Sequence, residues 1–111
     1  MSDRESKENF VPVDSREILA RVNQMPIQNW NYKTQDKAVR HIGPTAQDFA
    51  AAFQVGESER RITTVDADGV ALAAIQGLSQ IVNEKDAQIR KLQQRLERLE
   101  QLLKQPAGGQ P

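Results

Sequence analysis

The sequence predicts an α+β protein, in which a small mixed domain of short strands and short helices precedes one long C-terminal helix that forms a parallel coiled coil. Three observations support this fold class. The first part of the chain alternates cap and turn residues with short apolar stretches. From Val70 to Gln105 only Gly77 disfavours a helix, at about 1 kcal/mol relative to alanine. Apolar residues recur along that stretch at alternating intervals of three and four, the spacing of a coiled coil.

Cap residues predict two short helices in the first domain. Asp14 is an acidic N-cap, and Pro26 ends the helix that it begins. Thr45 is a second N-cap, ahead of a helix from Ala46 to Phe53. Gly56 is the expected end of that helix, because glycine adopts the left-handed conformation of a C-cap at little cost.

A pair of short strands is predicted between these helices. Ile27 to Lys33 alternates in part, which puts Trp30 and Tyr32 on one face of a strand. A four-residue turn leads into a returning strand from Ala38 to Ile42. His41 is therefore interpreted as a strand histidine rather than a catalytic base.

The long helix is predicted over residues 67–105, after a first domain at residues 1–66. Asp66 and Asp68 are its candidate N-caps, a more common role for such carboxylates than a cation site. Residues 106–111 are rich in proline and glycine and are expected to form a disordered tail.

The heptads of this helix predict self-association, since about 65 preceding residues cannot cover so long an apolar stripe. An antiparallel helix that packs on its own domain is the alternative. The number of copies stays open: Leu102 at a g position favours more than two strands, whereas the a/d residue types favour a dimer. Arg95 and Glu100 form an attractive g–e pair in a parallel arrangement. The predicted core consists of Ile75, Val82, Ile89, Leu96 and Leu103 at a, and Leu78, Lys85, Leu92 and Leu99 at d.

The composition excludes several classes of protein. The 111 residues include no cysteine and one histidine, which excludes disulfides, cysteine nucleophiles and multi-histidine metal sites. Fifteen basic residues balance fifteen acidic ones, so the net charge does not favour nucleic acid. No apolar run approaches the roughly 20 residues of a membrane span, and the N-terminus is no signal peptide. We therefore expect no metal, cofactor, nucleic acid or membrane partner.

Ser2 and Lys7 are the one nucleophile and base that the sequence singles out. A tight turn or a bulge would bring side chains five residues apart together, and a lysine can serve as the base of a serine once burial or a cationic neighbour lowers its pKa. The spacing is common, and a solvated arm is the plainer interpretation of it. Arg60-Arg61 and Arg90-Lys91 are interpreted as solvated faces.

Several segments in order resemble one protein family. Ser2-Asp3-Arg4…Lys7-Glu8-Asn9 resembles the SDxxxKxN opening of the peptidase S74 family, the C-terminal intramolecular chaperones of phage tailspikes, endosialidases and related trimeric fibres. The resemblance continues through the strand around Trp30 and is strongest at Arg40-His41-Ile42-Gly43 followed by Ala46-Gln47-Asp48. Thr64-Val65-Asp66 and the heptads complete it, so that it covers residues 2 to about 100.

This resemblance implies a homotrimer that helps three upstream fibre or stalk chains to register. It also implies a single self-cleavage immediately before Ser2, with Ser2 as nucleophile and Lys7 as base, and no turnover of external substrates. Asp3, Asn9 and backbone amides are candidates for an oxyanion site, and none of them is singled out. The precursor would be a phage-like or bacterial surface fibre protein assembled in the bacterial cytoplasm. A non-catalytic coiled-coil module for oligomerisation or tethering is the alternative.

Two features depart from the family pattern. Pro44-Thr45 follow His41-Ile42-Gly43, where many members carry an apolar residue. Only Met1 precedes Ser2. We therefore expect the chain to be the released chaperone with an added start residue, or a stand-alone descendant.

Overall fold

A computed structural model describes residues 2–105 of the chain. The fold is α+β, as predicted. Two compact units make it up, one through Leu78 and one from Ser79 onward, and the last helix contributes to both. The predicted tail at 106–111 lies outside the described residues, and the division at residue 66 stays a prediction. In chain order the elements are a 3-10 helix (Arg4–Ser6), α1 (Ser15–Gln24), β1 (Gln28–Trp30), β2 (His41–Gly43), α2 (Ala46–Phe53) and α3 (Thr64–Lys104).

Both short helices begin where their cap residues predict. The Asp14 carboxylate accepts hydrogen bonds from the backbone N–H groups of Arg16 at 3.1 Å and Glu17 at 3.2 Å. Thr45 Oγ1 accepts one from the N–H of Asp48 at 3.1 Å. Each bond satisfies a donor of the first turn that has no partner within its helix.

Helix α2 spans Ala46–Phe53 as predicted, but its C-cap residue differs from the prediction. Gln54, and not Gly56, is the C-cap: it lies in the left-handed region at φ 54° and donates its N–H to Ala50 O at 2.9 Å. Gly56 also has a positive φ, 96°, but it follows two residues later in the loop. The helix therefore ends at Phe53 by means of a residue whose side chain gave no signal for this conformation.

Helix α3 begins at Thr64, three residues before its predicted start at residue 67, and its N-cap differs from the prediction. Thr63 is the N-cap instead of Asp66 or Asp68, because its carbonyl accepts the N–H of Ala67 at 3.0 Å. Its hydroxyl accepts the Asp66 N–H at 3.4 Å and donates to Asp66 Oδ2 at 2.6 Å. The two residues have the spacing of a capping box, but the carboxylate accepts the Thr63 hydroxyl instead of its backbone N–H, and Asp66 belongs to the first turn.

The two strands pair as predicted but are shorter. They are antiparallel, with Asn29 opposite Ile42 and Trp30 opposite His41. The predicted strand from Ala38 is wrong at its start. A turn at Asp36 holds this segment out of the ladder, because Asp36 accepts the N–H of Ala38 through its carboxylate at 2.8 Å and that of Val39 through its carbonyl at 2.9 Å.

An aromatic cluster covers one face of this sheet. Ring centroids lie 4.7 Å apart for Trp30 and Tyr32, 5.0 Å for Trp30 and His41, and 5.2 Å for Tyr32 and His41. His41 Nε2 also lies 3.1 Å from Gln35 Oε1. The interpretation of His41 as a strand histidine is confirmed.

The first unit buries little of its apolar surface. Among the described residues, the buried hydrophobic side chains are Phe49, at 5% exposure, and Ala74, at 8%. Helix α1 is held to α2 by Arg21, which donates to Ala52 O at 2.7 Å and to Glu17 Oε1 at 3.0 Å. Such a core is small for 78 residues, so most large apolar side chains remain in contact with water in the single chain.

Candidate functional site

Ser2 and Lys7 lie in direct contact at the start of the described chain. Lys7 Nζ stands 2.6 Å from Ser2 Oγ and donates a hydrogen bond to it. The residues between them form the single 3-10 turn Arg4–Ser6. A tight turn therefore brings together the serine and the lysine that the sequence analysis singled out.

Asp3 holds this turn from its N-terminal end. Its side chain accepts the N–H of Glu5 at 2.9 Å, which makes it the N-cap of the 3-10 helix. Its carbonyl accepts both the N–H of Ser6 at 3.0 Å and the Ser6 hydroxyl at 2.7 Å. The sequence analysis considered Asp3 for an oxyanion site, but an ionised carboxylate has no proton to donate. In the structure, Asp3 shapes the turn.

The chain changes direction just after Lys7. Lys7 itself is extended, at φ −123° and ψ 153°, and donates its N–H to Arg4 O at 3.2 Å. Asn9 follows at φ 58°, in the left-handed region that asparagine tolerates better than most residues. The backbone conformation thus explains why an asparagine suits position 9, the last residue of the SDxxxKxN pattern.

The site is open to water. Residues 2–10 are all exposed, Ser2 and Lys7 among them. A lysine acts as a general base only in its neutral form, which removal from water favours. The geometry of a serine nucleophile and its base is thus present, and residues 2–105 of the single chain provide no surface that covers it.

The remaining candidate residues have structural roles or none that the structure defines. Asp66 is bound to Thr63 at the start of α3, as described above. Within residues 2–105, no group of three or more metal-ligating side chains converges. No helix of this part of the chain is long and apolar enough to cross a membrane.

The first part of the chain matches the model of a known protein family. Residues 2–55 match the family model Peptidase S74, described as chaperone of endosialidase. The match supports the resemblance of this segment to the peptidase S74 family. No curated protein matched the sequence. At the level of that family, the match supports an intramolecular chaperone role and an autoproteolytic serine peptidase.

The family match covers the first part of the chain and does not reach helix α3. The S74 segment contains the Ser2–Lys7 contact, the two strands and α2. Helix α3 begins after it, at Thr64. The heptads and the later resemblances are therefore observations separate from the family match.

Sequence analysis overlooked two polar anchors in the S74 segment. Asp3 gave a signal, since aspartate is a favoured cap residue, but its turn was too short to be predicted. Arg40 gave none: it donates to Asn29 Oδ1 at 2.6 Å and to Asn31 Oδ1 at 2.8 Å, across residues eleven and nine positions apart. This fork ties the loop to β1 beside the aromatic cluster.

Proposed function

We propose that this S74 domain is the intramolecular chaperone and trimerisation domain of a fibre or tailspike protein, and that it releases itself by cutting the chain before Ser2. The observation that carries the proposal is the 2.6 Å contact between Lys7 Nζ and Ser2 Oγ, within the segment that matches the family. Both residues occupy the serine and lysine positions of the family's opening pattern.

The chemistry follows from the position of Ser2 at the bond to be cut. Ser2 Oγ attacks the carbonyl carbon of the preceding residue and gives its proton to neutral Lys7. The C–N bond then breaks as Lys7 returns that proton to the Ser2 nitrogen, which leaves the upstream chain as an ester on Ser2 Oγ. Water hydrolyses the ester, giving a new carboxylate upstream and restoring the serine hydroxyl. No external substrate is turned over.

Trimerisation is supported by the exposed stripe of α3. The apolar side chains at the predicted a and d positions are between 51% and 85% exposed in the single chain. Full burial of such a side chain contributes about 1.5–3 kcal/mol, so eight half-exposed residues give a strong drive to associate. A parallel bundle of three identical helices covers them and joins the three upstream chains at one end.

This assembly serves folding by its effect on concentration. Three fibre chains must find a common register, a slow step dominated by non-local contacts. Tethering their ends raises the effective concentration of each chain for the others. Cleavage after assembly then makes the product irreversible, so the fibre persists without its chaperone.

A denaturing gel tests the cleavage. A precursor with a folded segment of its own upstream fibre sequence before Ser2 should yield two fragments without protease or metal. Ser2→Ala should remain intact. Ser6→Ala is the comparison: it should still be cut, but more slowly than wild type, because it keeps Ser2 and Lys7 and loses one hydrogen bond of the turn, the one from its hydroxyl to Asp3 O. An uncut wild-type precursor, or a Ser2→Ala precursor cut at the wild-type rate, would contradict the proposal.

The ester intermediate gives a second test. Hydroxylamine attacks esters much faster than amides, so it should speed release of the upstream fragment and leave a hydroxamate at its C-terminus. Mass spectrometry of that fragment distinguishes the hydroxamate from the carboxylate. A C-terminus that contains only carboxylate, at an unchanged rate, would exclude the ester on Ser2.

The second candidate function is a non-catalytic coiled-coil module that oligomerises or tethers its neighbour. The exposure of every residue from 2 to 10 favours it, because nothing among the described residues 2–105 buries Lys7. The sequence upstream in the parent gene separates the two functions: the chaperone requires a fibre-forming segment there, and the tether does not.

A further inference from the structure

We infer that Asp3 is a positioning residue for self-cleavage, and that the arrangement of Ser2 and Lys7 is set by the turn Asp3–Lys7 rather than by the rest of the fold. The inference rests on the proposed cleavage before Ser2. It assigns to the second residue of the opening pattern a role that is geometric and independent of its charge.

Asp3 accepts three of the hydrogen bonds of this turn. Its carboxylate accepts the Glu5 N–H, and its carbonyl accepts both the N–H and the hydroxyl of Ser6. Lys7 closes the turn through its N–H to Arg4 O at 3.2 Å. Four hydrogen bonds thus fix the backbone on which Ser2 and Lys7 stand.

These contacts are local. Every hydrogen bond that the structure gives residues 2–7 joins partners at most five positions apart. All of these residues are also exposed, and none of these hydrogen bonds reaches α1, α2 or α3. Loss of the Asp3 cap therefore has no hydrogen bond outside the turn to compensate for it.

The Asp3 carboxylate could act on Lys7 either through the shape of the turn or through its negative charge. A carboxylate next to a lysine could also act by favouring the ammonium form, which would slow a general base. The Asp3 side chain is directed to the Glu5 N–H, and its hydrogen bond requires only an oxygen acceptor. Asparagine and serine are comparable cap residues, so either should preserve the turn without the charge.

The experiment compares cleavage rates of the precursor with its upstream fibre segment in place. Asp3→Ala should slow cleavage by about five-fold, the effect expected for a lost cap. Asp3→Asn and Asp3→Ser should restore the wild-type rate and its dependence on pH. Glu5→Gln is the matched control, since it removes one negative charge from the same turn and leaves the Glu5 N–H in place. Circular dichroism and light scattering check that each variant keeps its fold and its oligomeric state.

Each outcome decides something. An uncut wild-type precursor defeats the proposed function itself. If the wild-type precursor is cut and the Asp3→Ala precursor is cut at the same rate, only the positioning role of Asp3 is contradicted. Cleavage of Asp3→Asn that is as slow as that of Asp3→Ala, or that follows a shifted pH dependence while Glu5→Gln does not, shows that the carboxylate acts by its charge and also overturns the inference.

Discussion

Gly77 of α3 lies directly against the backbone of Ser15 at the start of α1. A Cβ built on Gly77 would stand 2.8 Å from the Ser15 carbonyl carbon and 3.2 Å from Arg16 N. A helix interior disfavours glycine by about 1 kcal/mol relative to alanine, so the residue at this position needs a reason. The close approach of α1 supplies it, because only a residue without a side chain leaves room for that backbone.

Gly77→Ala should therefore destabilise the protein. The new methyl group meets main chain, which cannot swing away as a side chain would, and overpacking of this kind costs about 1–3 kcal/mol. Urea denaturation at one protein concentration measures the change in the free energy of unfolding.

Gly69→Ala is the control for this substitution. Gly69 lies in the same helix, and a Cβ there meets nothing within 4 Å. This variant should gain up to about 1 kcal/mol in the free energy of unfolding from helix propensity alone. Equal stabilisation by both substitutions would show that α1 does not approach Gly77 in solution.

The caps show which parts of this fold a sequence can predict. Asp14 and Thr45 bind N–H groups two or three residues away, so their helices could be placed from local chemistry alone. The start of α3 was predicted wrongly because three neighbouring residues, Thr63, Asp66 and Asp68, are all favoured as caps. The structure uses the Thr63 hydroxyl. The contact between Gly77 and Ser15 is different, because these residues are far apart in sequence. The hydrophobic periodicity of the helix does not predict it.

The same distinction applies to the candidate site. Ser2 and Lys7 were predictable as a pair because one turn closes their spacing. The role of Asp3 depends on which atoms face each other inside that turn, and residue types alone do not determine it. The role of Arg40 was missed for the opposite reason, since its partners lie eleven and nine residues away: Asn29 is in β1 and Asn31 follows it.

The predicted trimer depends on the stripe of α3. Leu92→Glu together with Leu96→Glu should abolish it, because the bundle would have to bury charges in successive core layers. Light scattering at tens of micromolar measures the mass. Gln94→Glu with Gln101→Glu adds the same charges at f positions, away from the core, and should leave the trimer intact. A monomeric wild type would contradict the prediction, and a dimer would show that the a/d residue types decide the number of strands.

Lys85 should weaken this bundle. It occupies a d position, where its stem can lie along the core while the ammonium reaches water or a carboxylate of a neighbouring helix. Lys85→Leu should therefore raise the melting temperature of the assembled protein. Lys91→Leu, the same substitution at a c position, should have little effect. A lower melting temperature for Lys85→Leu would mean that the heptad register is wrong by at least one position.

Lys7 should be irreplaceable by another cation. Lys7→Ala removes the base and should abolish cleavage of the precursor. Lys7→Arg should not restore it, because guanidinium stays protonated and cannot accept the Ser2 proton. The gel assay described for Ser2→Ala measures both. Cleavage of Lys7→Arg near the wild-type rate would show that the side chain acts as a positive charge rather than as a base.

Assembly and cleavage should be coupled. In the single chain Ser2 and Lys7 touch but both are exposed, and a neutral lysine is favoured only when water is removed from it. The Leu92→Glu, Leu96→Glu precursor retains the whole turn from Ser2 to Lys7, yet it should be cut more slowly than wild type, in parallel with the loss of trimer. The Gln94→Glu, Gln101→Glu precursor should be cut normally. Cleavage of the monomeric precursor at the wild-type rate would place everything the reaction needs within one chain, and the covering surface would then have to come from the upstream segment of that same chain.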